Sequence, residues 1–174
     1  MTQVNSQSTT VPGKTKVQSV RPCLTFKDRG EEAVNFYVSV FPNSRVMSVL
    51  RSDGNGPLPK GSLWHASFEL DGQEYTAFDG GASFVFTEAF SFVATCETQA
   101  ELDEIWARLT DGGEEGPCGW LKDRFGVSWQ IVPAALGQMM SDAKSGNPAK
   151  MMEALLKMRK LDIATLERAY RGGA

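Results

Sequence analysis

"TQAELDEIWARLTDGG", Thr98 to Gly113, carries the signals of a complete helix. Thr98 followed three residues on by Glu101 is the spacing of a capping box, in which each side chain satisfies the other residue's free backbone N–H. Leu102, Ile105, Trp106 and Leu109 recur at the i, i+3, i+4, i+7 spacing that gathers apolar groups on one helical face. Gly112 and Gly113 end the helix. An upstream stretch, "RGEEAVNFYVSVFPNS" (Arg29–Ser44), carries the same stripe in Ala33, Phe36, Tyr37 and Val40. Every member maps onto the later helix at one offset of 69 positions, as Ala33 does onto Leu102, and Glu32 maps onto Glu101. Pro42 and Asn43 stop this first helix.

The flanks repeat as well. A strand-like run precedes each helix, "VQSVRPCLTF" (17–26) and "FSFVATC" (90–96), with Pro22 marking an edge or a strand start. A glycine-bounded strand follows each, "DGQEYTAFDGG" (71–81) and "FGVSWQIVP" (125–133), with Gly72 and Gly126 aligned at an offset of 54. The second half is therefore about 15 residues shorter between helix and last strand. The first half spends the excess on the loop "RSDGNGPLPKG" (51–61) and the strand "SLWHASFEL" (62–70). Such a unit, present only twice, is a duplicated α+β module and not a solenoid repeat. The expected organisation is a disordered N-terminus over 1–16, a first βαβββ module over 17–89, a second over 90–135, and a helical extension over 136–174. In the extension, Asn147 and Pro148 mark an N-cap and first helical residue. Met151, Met152, Leu155 and Leu156 form an apolar face there, and "DIATLERAY" (162–170) adds another short helix. This tail is expected to pack on the sheet or on a second subunit.

Composition excludes several classes. The chain has 174 residues, 41% hydrophobic and 22% charged, with a net charge of −3. That is globular composition, without the basic stripe that phosphate neutralisation requires, so no nucleic-acid partner is expected. Three cysteines, at 23, 96 and 118, include no CxxC pair and make neither a disulfide framework nor a structural zinc site. Buried structural thiols are expected. The polar start "MTQVNSQSTTVPGKTK" has no apolar core of a signal segment, and no run reaches the ~18 apolar residues of a membrane span. A cytoplasmic protein with no membrane partner is the expectation.

Strand alternation sorts side chains by face. In "SLWHASFEL", Trp64, Ala66, Phe68 and Leu70 are expected beneath a helix, with His65, Ser67 and Glu69 opposite. In "VSWQIV" (127–132), Val127, Trp129 and Ile131 share one face, and Ser128 and Gln130 the other. Thr76 occupies the place in the first module that Gln130 holds in the second. One surface is thus helix-covered, while the other carries scattered polar groups and, if curved inward, makes a ligand cleft. Asp79, before Gly80 and Gly81, reads as a turn residue.

The segments "LTFKDRGEEAVNFYVSVFPNSRV" (24–46), "FELDGQEYTAFDGG" (68–81), "CGWLKDRFGVSWQIVP" (118–133) and "ALLKMRKLDIATLERA" (154–169) resemble the PhnB-like branch of the vicinal oxygen chelate superfamily. That superfamily includes glyoxalases, bleomycin-resistance proteins and dioxygenases, and this branch often bears the label 3-demethylubiquinone-9 3-methyltransferase. The resemblance covers about Val17 to Tyr170. It implies tandem βαβββ modules whose curved mixed sheet encloses a cleft, helices on the outer face, in a homodimer. Metal-dependent relatives place His, Glu or Gln on the first and last strand of each module. Here the last-strand positions are Thr76 and Gln130, and the first strands offer no His, Asp or Glu. No cofactor is therefore expected; if a divalent metal did bind, His65, the only histidine, and Gln130 are the candidates to hold it. A Rossmann-type methyltransferase needs a glycine-rich loop after its first strand, and "RPCLTFKDRGEEA" (21–33) has none. The cleft-lining candidates are His65, Ser67, Glu69, Thr76, Phe78, Trp120 and Gln130, with no catalytic residue assigned. The expected function is binding of an unidentified small molecule. The alternatives are a metal-assisted lyase, isomerase or oxygenase, a methyltransferase, or a dimer whose cleft is vestigial.

Overall fold

The computed structural model describes residues 19–81 and 84–172, so the expected disordered segment 1–16 lies outside the described residues. The first module runs β1 (Cys23–Phe26), α1 (Gly30–Val40), β2 (Arg45–Arg51), β3 (Leu63–Leu70) and β4 (Gln73–Asp79). The second repeats the order with β5 (Phe92–Cys96), α2 (Gln99–Thr110), β6 (Glu114–Glu115), β7 (Trp120–Lys122) and β8 (Ser128–Pro133). The missing 15 residues of the second half have shortened its middle strands to two and three residues.

Each module forms its own four-stranded mixed sheet, ordered β1-β4-β3-β2 and β5-β8-β7-β6. In both, the first strand lies parallel to the last, Cys23 opposite Thr76 and Phe92 opposite Trp129. A parallel pair needs a crossover connection, and the stretch containing the helix supplies it. Identical strand order in both halves is the structural form of the sequence repeat.

The two helices start differently. In α2 the predicted capping box is made: Thr98 Oγ1 accepts from Glu101 N at 3.2 Å, and Glu101 Oε2 accepts from Thr98 N at 2.9 Å. In α1 the N-cap residue, Arg29, is left-handed at φ 66° and gives no side-chain cap. Asp79, from the end of β4, takes over. Its Oδ1 accepts from Gly30 N at 2.8 Å and its Oδ2 from Leu63 N at 2.8 Å. Asp79 is thus a buried cap contributed from 49 residues away, a correction to its reading as a turn residue.

One core runs through both modules. Leu24, Phe26, Ala66, Phe68 and Ala77 pack beneath the Ala33, Val34 and Tyr37 face of α1, while Leu121, Trp129 and Ile131 join Leu102, Trp106 and Leu109 of α2. Trp64 departs from the expected pattern: it is 52% exposed, and Leu63 is buried in its stead. The pairing of β2 with β3 passes from Leu50–His65 to Arg51–Leu63, skipping Trp64, and such a bulge breaks the alternation of faces. The cysteines also differ from one another: Cys96 is buried, Cys118 half-buried and Cys23 exposed, so the expectation of buried thiols fails for Cys23.

The tail forms α3 (Leu136–Ser141), α4 (Pro148–Leu155) and α5 (Ile163–Tyr170), with Met151, Leu155, Leu161 and Leu166 in the same core. It docks on the helix side of the second module. Cys118 N and Gly119 N donate to the carbonyls of Met158 and Arg159 at 2.8 and 2.7 Å. Gln99 of α2 accepts from Ile163 N at 2.8 Å and donates to Leu161 O at 3.1 Å. The tail was expected on the sheet or on a second subunit; it meets α2 and the loop before β7 instead. No helix of the described residues is long and apolar enough to cross a membrane.

Candidate functional site

The sheet faces away from the helices hold the predicted residues in two groups. On the first sheet, residues opposite each other across strands share a face. Thr76 lies between Cys23 and Ser67, Glu69 opposite Glu74, Phe78 opposite Thr25, and His65 opposite Leu50. The group is laced by charge. Glu74 pairs with Arg21 and accepts from Ser67 Oγ at 3.2 Å, and Glu69 pairs with Arg45 at 3.0 Å. Around them Met47, Leu50 and Trp64 stay exposed. Glu74 was not among the predicted residues. It lies two positions before Thr76 on the same strand face, which alternation alone could have revealed.

On the second sheet, Trp120 stands opposite Gln130, and Lys122 opposite Ser128. The Gln130 amide donates to Ser91 Oγ at 2.9 Å. Against β6 and β7 lies a hollow of about 390 Å³ walled by Trp120, Leu121, Pro117 and the Lys122–Glu88 ion pair at 2.6 Å. Ser128 lines it. This serine is 2% exposed, and its Oγ has no hydrogen-bond partner among the described residues. A buried hydroxyl without a partner costs about 1–3 kcal/mol, so its persistence calls for an explanation. Alternation put Ser128 on the Gln130 face, but it was not among the candidates, because nothing in its local sequence marks an unpartnered hydroxyl. The structure therefore brings His65, Ser67, Glu69, Thr76 and Phe78 onto one face and Trp120 with Gln130 onto another.

A metal does not fit this donor set. Among the described residues no group of three or more His, Cys, Asp or Glu side chains is placed to hold an ion. Thr76 offers a neutral hydroxyl, Glu74 is engaged by Arg21, and the two candidates His65 and Gln130 stand on different sheets. A Rossmann-type methyl-donor site does not fit either: the first strand-to-helix connection, Lys27–Arg29, has no glycine-rich loop, and each sheet is mixed, not doubly wound.

Behind these faces the modules are joined by a buried carboxylate. Asp123, 3% exposed, accepts at Oδ1 from Phe125 N (2.8 Å) and Val127 N (3.0 Å). At Oδ2 it accepts from Trp129 Nε1 and from the Tyr37 hydroxyl of α1, both at 2.8 Å. Burial pushes its carboxyl above the ordinary range, against the four donors that pull it down. The Tyr37 hydroxyl is raised well above its usual value, first by burial and then by the Asp123 charge.

Residues 18–132 match the 3-demethylubiquinone-9 3-methyltransferase family. Among solved structures, the PhnB protein of Bacillus cereus, which carries that same methyltransferase name, is 39% identical with a TM-score of 0.63, over 67% of this chain and 100% of its own. Protein PA1353 from Pseudomonas aeruginosa is 21% identical (TM-score 0.57; 67% of this chain, 98% of that one). The fosfomycin resistance protein FosX from Listeria monocytogenes, in a complex with manganese(II) and sulfate, shares the fold at 16% identity (TM-score 0.50; 67% and 92%). No curated protein matches the chain. The family match ends at Val132, so α3, α4 and α5 lie beyond it. With its duplicated βαβββ modules, the chain belongs to the 3-demethylubiquinone-9 3-methyltransferase family and is similar to the PhnB protein within it.

Proposed function

We propose that this protein binds a small molecule on the helix-free faces of its sheets, without a catalytic metal, and that a second copy of the chain covers the exposed first-sheet face. The observation that carries the reading is Ser128, whose buried, unpartnered hydroxyl lines a hollow bounded by an indole and an ion pair. A ligand with an acceptor or donor at Ser128 removes the cost of the orphan group, and its flat body stacks on Trp120. The Lys122–Glu88 pair at the rim serves a polar end group. Exposed Met47, Leu50 and Trp64 support a homodimer, since large apolar side chains gathered on one face gain free energy when covered.

A thermal-shift screen of small metabolites tests the binding. A ligand at a hundred times its Kd stabilises by about 2.7 kcal/mol, which for a chain of this size raises Tm by about 5–10 °C. Trp120→Ala and Ser128→Ala are expected to abolish that rise. Shifts that survive both substitutions refute the site. Sedimentation equilibrium tests the dimer, and a monomer at all concentrations refutes it.

A further inference from the structure

A larger cavity, of about 770 Å³, lies in the seam between α1 and α2. Its volume falls within the range of small-molecule sites. The whole of β5 forms one wall, and the end of α1 with the β3–β4 turn forms another. The aromatic lining is continuous. Phe41 stacks on Trp129 with centroids 5.1 Å apart, Phe92 meets Trp129 at 4.9 Å, and Tyr75 meets Phe92 edge-on at 5.5 Å. The charge is one-sided: the described lining contains Asp71, Glu97, Glu101 and Glu104 and no lysine, arginine or histidine. Glu101 is spent on the capping box, and Glu104 has Arg108 at 3.9 Å. No ion pair among the described residues involves Asp71 or Glu97. The C-terminal end of α1, with no basic residue in its last turn, adds the partial negative charge of its carbonyls.

We infer that this cavity, which shares no lining residue with the hollow at Ser128, is a second ligand site for a small organic cation with an apolar or aromatic body, such as an aryl-alkylammonium. The ring faces attract the cationic head through their quadrupoles. Asp71 and Glu97 neutralise it at the rim, and Val40, Leu70 and Ile105 accommodate the apolar body. An anion of the same shape meets repulsion from the same groups.

The test titrates benzyltrimethylammonium, with phenylacetate as the anionic control, into the isotope-labelled full chain and follows amide NMR shifts. The expected result is saturable shifts confined to β5, the end of α1 and the region of Ile105, with none from phenylacetate. The double variant Asp71→Asn/Glu97→Gln is expected to weaken the cation about fivefold. Both positions are exposed, and asparagine tolerates the left-handed backbone that Asp71 adopts (φ 47°), so the fold is retained. Trp120→Ala is expected to leave the affinity unchanged, which separates this site from the one proposed above. No shift by about 10 mM, where millimolar affinities are visible, overturns the inference. So do equal binding of phenylacetate, an unchanged affinity in the double variant, or loss of binding in Trp120→Ala.

Discussion

Replacing Asp123 by asparagine changes one atom of the side chain and disturbs four hydrogen bonds. The carboxylate accepts from two backbone amides, an indole N–H and a phenol. An asparagine keeps one accepting oxygen and presents an NH₂ where the other stood. If the NH₂ faces Trp129 Nε1, a group that only donates, two donors meet in a buried site. If it faces Phe125 N and Val127 N, the same clash falls on the backbone. Tyr37 can rotate its hydroxyl to accept, but the others cannot. At least one buried donor is left unpaired, and hydrogen bonds to a charge are lost, so the expected cost is about 3 kcal/mol. That corresponds to about 6–12 °C in Tm. Tyr37→Phe removes only one bond to the carboxylate and is expected to cost about 1.5–3 kcal/mol. The double variant is expected to cost less than the sum, because both changes act on one contact. Urea unfolding of the four proteins measures this. The pH dependence carries a sign. Burial raises the folded pKa of Asp123 above its unfolded value, so the native state binds the proton more tightly between the two. Its contribution to stability is therefore fully present below the unfolded value and is lost as pH rises through the folded one. The asparagine variant lacks that decline. An Asp123→Asn protein within about 0.5 kcal/mol of the parent, the range of an inconsequential surface change, refutes this reasoning.

Gly30→Ala places a Cβ 2.7 Å from Asp79 Oδ1 and 3.0 Å from Leu63 Cδ2; a loss of about 1–3 kcal/mol is expected by denaturant titration. Leu161→Ala hollows the seat of the tail, where the side chain is fully buried, and is expected to cost about 2–5 kcal/mol in the same assay. Thr98→Ala removes one half of the capping box and is expected to cost about 1 kcal/mol, read as a lower Tm. Thiol labelling at pH 8 is expected to modify exposed Cys23 readily and to spare Cys96, whose thiol is pushed up to about 11 by burial and then by the Glu101 charge; peptide mapping reads the sites.

What the sequence made legible was local. The stripes around Tyr37 and Trp106, the Thr98–Glu101 box and the Asn147–Pro148 start each depend on neighbours within a turn or two, and each is found where it was expected. Trp64 was misplaced because a bulge, set by how β2 registers on β3, reverses a pattern that looks regular along β3 alone. Asp79 was missed as a structural carboxylate because Gly30 and Leu63 lie 49 and 16 residues away, and the Asp123 bridge between the modules was missed because Tyr37 lies 86 residues away. Alternation could have placed Glu74 beside Thr76, but not its pairing with Arg21 across 53 positions. Ser128 alternates correctly with Trp129, yet periodicity says nothing about whether a hydroxyl finds a partner.

The latch between Cys118–Gly119 and Met158–Arg159 bears on the order in which the chain acquires structure as it leaves the ribosome. The amides just before β7 receive their acceptors only after some forty further residues have been translated, and Leu161 reaches its seat later still. Until then the outer surface of the second half is bare, and a nascent chain paused there presents greasy surface to whatever chaperone waits at the exit.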